Sequence, residues 1–253
     1  MLPGSFASML QNIVGGEYGV NPSVIFNEDW LLRILLYNHH KGVQCFPFPH
    51  DTKSRWFSEA QLPTVFKARY QGDPLAEKRT RIDGTYGHIK IKKRSKARLL
   101  LDKEATCFNV LEAKMLSPLS EGLRNSPDYD QAARTVACMA YTIEVSKVNI
   151  SNVKDIGFYV VAPRRQIIKG VFAEHLKPLS IKGKVEERIE AYRGEDEAYE
   201  RLQVWKKRYF EPVLHRIQLR SISWEDTIER MAIISPEKTA IKEFYKNCLR
   251  YSR

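Results

Sequence analysis

Cysteine is sparse in this chain and long apolar runs are missing. The four cysteines, Cys45, Cys107, Cys138 and Cys248, stand far apart. Neither a disulfide framework nor a CxxC zinc pair can be drawn from them. The best apolar run, Trp30 to Tyr37, is broken by Arg33 and falls well short of the roughly 20 residues that span a bilayer. The opening residues Met1-Leu2-Pro3-Gly4 lack a charged region followed by an apolar block, so no secretory leader is expected. Internal repeats and low-complexity tracts are absent too. The expectation is a cytoplasmic protein with no membrane segment. Acid is the minority charge, with 30 Asp+Glu against 41 Lys+Arg and a formal net charge of +11. A positive surface attracts polyanions, nucleic acid foremost, though it says nothing of fold. At 253 residues and 43% hydrophobic content the chain can bury a sizeable core. One large domain, or one domain with an appendage, is expected.

The positive excess is concentrated. Lys78, Arg79, Arg81, Lys90, Lys92, Lys93, Arg94, Lys96 and Arg98 fall within one short segment that holds a single acid, Asp83. Such a run is either a solvated face or a ridge that contacts phosphates, where Lys and Arg release counterions and supply sequence-independent affinity. Lys90, Lys92, Lys93, Arg94 and Lys96 are the candidate contacts. Composition alone does not choose between the two. By contrast, Glu186 to Glu200 is rich in acid.

Local signals place the elements. Asn27 can cap a helix whose first turn holds Glu28 and Asp29, which suit the positive end of the helix dipole. Trp30, Leu31, Ile34 and Leu35 recur at helical spacing and give that helix a buried face. Three strand-like runs follow, Thr85 to Ile91, Ala97 to Leu101 and Cys107 to Met115, joined by short turns as in an antiparallel meander. Asp130 to about Val145 reads as a helix, and Gly157 to Ala162 as a strand buried on both faces. Strand, helix and buried strand imply a right-handed crossover between parallel strands. From Lys184 onward the pattern is helical, with Ser223 a good N-cap. The fold class is α/β, an antiparallel meander plus a βαβ crossover flanked by helices, with a helical C-terminal part. The boundaries are residues 1–20 for an N-terminal segment, 21–183 for the core and 184–253 for the helical part.

The informative stretch is Phe108-Asn109-Val110-Leu111-Glu112-Ala113-Lys114. In a strand, Phe108, Val110, Glu112 and Lys114 share one face, and two charges continuing an apolar face are costly to bury unpaired. They form either a structural Glu–Lys pair near a strand end or half of a metal-dependent phosphodiesterase site. In the second case Glu112 binds Mg²⁺, while the Lys114 ammonium positions water and offsets charge developing on phosphate. Hard Mg²⁺ prefers carboxylates and water, so a further acid is required nearby. The loosely grouped His39, His40, Cys45 and His50 match no zinc spacing, and nothing joins Ser117, Ser120 and His175 into a triad.

Arg81-Ile82-Asp83-Gly84, Glu112-Ala113-Lys114-Met115 and Tyr129-Asp130-Gln131-Ala132-Ala133-Arg134 together resemble bacterial members of the PD-(D/E)XK, or restriction-endonuclease-like, nuclease superfamily. Gly157 to Pro163 and Ser223-Trp224-Glu225 are similar as well, so the resemblance runs from about Asn27 to Met231. It implies a restriction-endonuclease-like core, with Glu112 as a ligand of Mg²⁺ or Mn²⁺ and Lys114 as catalytic lysine. Glu28 matches the acid that such nucleases often contribute from an early helix. Gln131 opens the helix after the Glu-x-Lys strand, where related exonucleases carry a glutamine. That helix N-terminus can face an anion.

One position departs from the family pattern. The first acid is expected on the strand preceding Glu-x-Lys, where this chain reads Lys96-Ala97-Arg98-Leu99. Hairpin arithmetic places residue 97 or 98 opposite Glu112, leaving Asp102 about 16 Å away along the strand. Pairing Thr85–Ile91 with Ala97–Leu101 puts Asp83 at the same distant end. The site so drawn is one acid short. Three readings follow: a Mg²⁺-dependent deoxyribonuclease acting through Glu112, Lys114 and Glu28; a non-catalytic nucleic-acid-binding protein on the same fold, its metal site disabled by Arg98; and a structural module with a solvated basic face.

Overall fold

The computed structural model describes residues 9, 11, 12, 15, 19–95, 97–122, 126–231 and 236–252. Helix α1 (Glu28–His40) starts as the sequence indicates, with the Asn27 side chain accepting the Trp30 N–H at 3.0 Å. Leu31, Leu32, Leu35 and Leu36 turn inward and are buried. Helix α2 (Gln131–Ser146) is capped by Asp130, whose carboxylate accepts the Ala133 N–H. Its alanines allow it to lie close on the sheet.

The strands are β1 (Arg55–Leu62), β2 (Thr80–Gly87), β3 (Ile89–Ile91), β4 (Leu99–Leu101), β5 (Cys107–Ala113), β6 (Asp155–Ala162) and β7 (Gln218–Ser223). Five of them make one mixed sheet in the order β1-β2-β5-β6-β7, and β3 and β4 form a separate two-stranded sheet. β5 and β6 are parallel, joined by α2 as the buried-strand pattern indicates. The fold is α/β. Helix α3 (Arg164–Ile168) follows β6, and α4 (Pro178–Glu190) packs against α2. α5 (Asp196–Trp205) runs through a π-turn into α6 (Glu211–Arg216). α7 (Trp224–Glu229) and α8 (Pro236–Tyr251) close the chain, and α8 lies against α1. One apolar layer joins the sheet to α2 and α4, and a second joins it to α1 and α7.

Three expectations need correction. The run Thr85 to Ile91 is two strands, not one. Gly87 sits at φ +151, and a Cβ there would lie 2.3 Å from the Cys107 carbonyl oxygen. Only glycine permits that approach, and past it the chain leaves the main sheet so that β3 pairs with β4. β2 itself pairs with β1 on one side and β5 on the other, so the three-strand meander is not formed. Second, the part after residue 184 is not purely helical. β7 extends the main sheet parallel to β6, and residue 184 lies inside α4. Third, β1 was not expected at all. The N-terminal segment 1–20 lies mostly outside the described residues.

Candidate active site

β2 and β5 separate at one end of the sheet. Their last ladder pair is Gly84↔Leu111, and one residue further Asp83 comes level with Glu112. There the Asp83 carboxylate takes the place of the missing ladder bond, accepting the Ala113 N–H at 2.8 Å. The neighbouring β1 is distorted at the same level. Glu59 has φ +57, and it falls between the pairs Ser58↔Gly84 and Ala60↔Ile82. Ser58 and Gly84 face α1, whereas Ala60 and Ile82 belong to the α2-side core, so the usual alternation breaks at Glu59 and Asp83. A non-glycine residue at positive φ costs energy, and here it re-aims an acid at a second acid.

Helix α1 supplies a third. Gly84 lets the helix come close, since a Cβ there would lie 2.8 Å from Leu32 and 2.9 Å from Leu36. The first turn of α1 thereby reaches Asp83, and carboxylate oxygens of Asp29, Glu59 and Asp83 lie within 4.8 Å of one another. Arg33 and Arg81 flank the group, with nitrogens 3.5 and 3.4 Å from the Glu59 carboxylate. Glu28, the acid expected from this helix, turns elsewhere. It lies beside Cys248 of α8 and helps burial push that thiol up to about 12. The sequence shows two adjacent acids in one helical turn and does not reveal which one faces the sheet.

Glu112 is buried on the other side of the fork, at 2% exposure. Its Oε1 accepts hydrogen bonds from the Lys114 ammonium at 2.8 Å and from the Gln131 side-chain amide. The Gln131 amide oxygen accepts the Ser120 N–H at 3.0 Å and lies 3.3 Å from the Ser120 hydroxyl, so the amide can present only its N–H groups to Glu112. The structure therefore brings Glu112, Lys114 and Gln131 together as expected. Ser120 was missed because a loop serine carries no sequence signal for this role. The second oxygen, Oε2, is buried and has no hydrogen-bond partner. Burial, with the Glu112 charge second, pushes the Asp83 carboxyl up to about 8.

Arg98 does not occupy this site. Its backbone bridges to Gln61 on β1, and Asp83 is the residue level with Glu112. The expectation that residue 97 or 98 faces Glu112 is overturned, because the strand paired with β5 is β2 and not β4. Asp102 follows β4 at the base of the β3–β4 hairpin, 3.6 Å from Lys90 and away from Glu112, as expected. At the opposite tip Lys92, Lys93 and Arg94 are exposed. The Gln61 N–H donates to the Ala97 carbonyl at 2.8 Å, so this tip lies beside β1 two residues from Glu59. Lys96 lies outside the described residues.

No family model, curated protein or solved structure matches this chain. The site's chemistry therefore rests on its own geometry. A lone buried carboxylate oxygen and a carboxyl held largely protonated near neutrality both describe a place short of positive charge. A divalent cation fits that place. The acids whose oxygens lie close enough together to share a hard ion are Asp29, Glu59 and Asp83, and Glu112 stands outside that group.

Proposed function

We propose that this chain is a metal-dependent deoxyribonuclease of the PD-(D/E)XK type, its site formed by Asp83, Glu112 and Lys114. The observation that carries the reading is the fork between β2 and β5, which sets Asp83 level with Glu112 and leaves the Glu112 Oε2 unpartnered. The order α1-β1-β2-β5-α2-β6, with α2 linking two parallel strands of a mixed sheet, agrees with a restriction-endonuclease-like core.

Mg²⁺ or Mn²⁺ held by Asp83 and Glu112 would acidify water and offset charge on the scissile phosphate. The chain's own residues do the rest. Lys114 keeps its ammonium against Glu112, where it can hold an attacking water and stabilise negative charge developing on phosphate. Gln131, clamped by Ser120, fixes the Glu112 rotamer so that Oε2 stays free. The exposed Lys92, Lys93 and Arg94 belong to the hairpin that borders β1 on the edge away from β2, where a phosphate backbone crossing β1 toward the fork would meet them.

The non-catalytic reading depended on a guanidinium facing Glu112. Among the described residues Arg98 forms no ion pair with Glu112, whose carboxylate is paired with Lys114, and its backbone bridges to β1, which weakens that reading. The test is incubation of linear and supercoiled DNA with Mg²⁺ or Mn²⁺. The chain is expected to cut, and Glu112→Gln to abolish cutting. Absence of cleavage by the unaltered chain with either ion overturns the proposal.

A further inference from the structure

The outer face of α1 carries residues that fold stability does not explain. Trp30 and Tyr37 are 42% and 51% exposed, and neither belongs to the apolar layer packed under the helix. At about 100° per residue, Trp30, Arg33, Tyr37 and Lys41 fall within one stripe about 80° wide, opposite the buried leucines. The stripe alternates ring and cation. The Arg33 guanidinium lies 4.9 Å from the Trp30 ring centre, and the Lys41 ammonium 5.6 Å from that of Tyr37.

This stripe begins at the acid cluster. Arg33 donates to the Ser58 hydroxyl at 3.0 Å and lies 3.5 Å from Glu59. Asp29, the residue before Trp30, belongs to the same three-acid group as Glu59 and Asp83. An unbroken path thus leads from the carboxylates across Arg33 onto the Trp30 face. Trp30 and Tyr37 are seven residues apart, about 10 Å of helix, or about three nucleotide steps of a strand.

We infer that this stripe is a binding track for single-stranded DNA leaving the acid cluster, with bases stacked on Trp30 and Tyr37 and phosphates met by Arg33 and Lys41. Alternating rings and cations are what an unpaired strand recognises, because every base offers a face to stack and every phosphate a charge. A duplex keeps its base faces covered, so the rings select against it. The inference rests on the nuclease reading for the direction of the strand, but binding is measurable without cleavage.

The test is fluorescence anisotropy of a labelled 12-nucleotide oligothymidylate, and of a blunt duplex of the same length, in Ca²⁺ with the Glu112→Gln protein. Adding Trp30→Ala and Tyr37→Ala together is expected to weaken single-strand binding at least tenfold and duplex binding less than twofold. Trp30→Phe, which keeps a ring, should recover most of the affinity, and Leu179→Ala, an exposed apolar truncation elsewhere, should change nothing. Trp30 emission should be quenched by the oligonucleotide, read as the difference from Trp30→Phe because Trp56 is partly exposed while Trp205 and Trp224 are buried. Unchanged single-strand binding in the double variant, or equal weakening of both DNAs, overturns the inference. That result combined with metal-dependent cleavage by the unaltered chain leaves the nuclease reading intact. Selective loss of single-strand binding without any cleavage upholds the track while the nuclease reading fails.

Discussion

Asp83 stands level with Glu112 across the fork between β2 and β5, its carboxylate bonded at 2.8 Å to the N–H of Ala113. That relationship supplies the acid that the hairpin arithmetic left missing. It depends on Gly87, whose close approach to Cys107 ends β2 and sends β3 out of the main sheet to pair with β4.

Gly84 is the contact that lets α1 bring Asp29 to the group. Gly84→Ala pushes a methyl against the ends of Leu32 and Leu36. Overpacking of this kind costs about 1–3 kcal/mol. Chemical denaturation should show that loss together with weaker Mn²⁺ binding, and Leu32→Ala in the same protein should restore part of the metal affinity. Full metal affinity in Gly84→Ala would argue against a role for α1 in the site.

Gln131 acts on Glu112 through its side-chain amide and is itself held by Ser120. Removing such a supporting partner typically costs about 10- to 100-fold in metal affinity or rate. Gln131→Ala should lower the cleavage rate within that range while DNA affinity in Ca²⁺ stays as it was. A rate equal to the parent's would make Gln131 a bystander.

The pH dependence of stability reports Asp83 directly. Its carboxyl is raised from 3.8 to about 8 by burial and by Glu112, so the folded state holds a proton that the unfolded chain releases. This contribution is complete below pH 3.8 and is lost as pH climbs to about 8. His39 works in the opposite sense. Burial lowers it from 6.5 to about 4, so its contribution is present above pH 6.5 and lost as pH falls toward 4. From about pH 6.5 to 8, metal-free protein should therefore lose stability by up to about 1.4 kcal/mol per pH unit. Asp83→Asn should remove that slope, and added Mg²⁺ should raise the Tm more at pH 8 than at pH 6.5. The same slope in Asp83→Asn would place the proton elsewhere.

Much of this was legible in local patterns. The caps at Asn27 and Ser223, the helix opening near Asp130, the crossover through α2 and the buried β6 all follow from short-range signals, and each is present. So is the convergence of Glu112, Lys114 and Gln131. What stayed hidden was long-range pairing. β1 reads Arg-Trp-Phe-Ser-Glu-Ala-Gln-Leu, with no strict alternation, and its Glu59 is aimed by a backbone conformation that composition does not announce. Gly84, next to Asp83, is an interior strand residue that admits a helix, and nothing in its neighbours announces that contact.

Lys92, Lys93 and Arg94 are exposed at the hairpin tip beside β1. If all three meet phosphate, changing them to serine should reduce the slope of log affinity against log salt by up to about 2.7. Anisotropy titrations with duplex DNA at several salt concentrations measure it, and an unchanged slope would make the tip a solvated surface.

The central claim is that Asp83, and not residue 98, is the partner of Glu112. Its most direct test compares Mg²⁺-dependent DNA cleavage by the unaltered chain, Asp83→Asn and Arg98→Asp under one set of conditions. Several kcal/mol of charge stabilisation depend on the metal, so Asp83→Asn should slow cleavage by at least about a hundredfold. Arg98→Asp should stay within a few fold of the parent. An Asp83→Asn protein that cuts normally, or cleavage that appears only in Arg98→Asp, would contradict it.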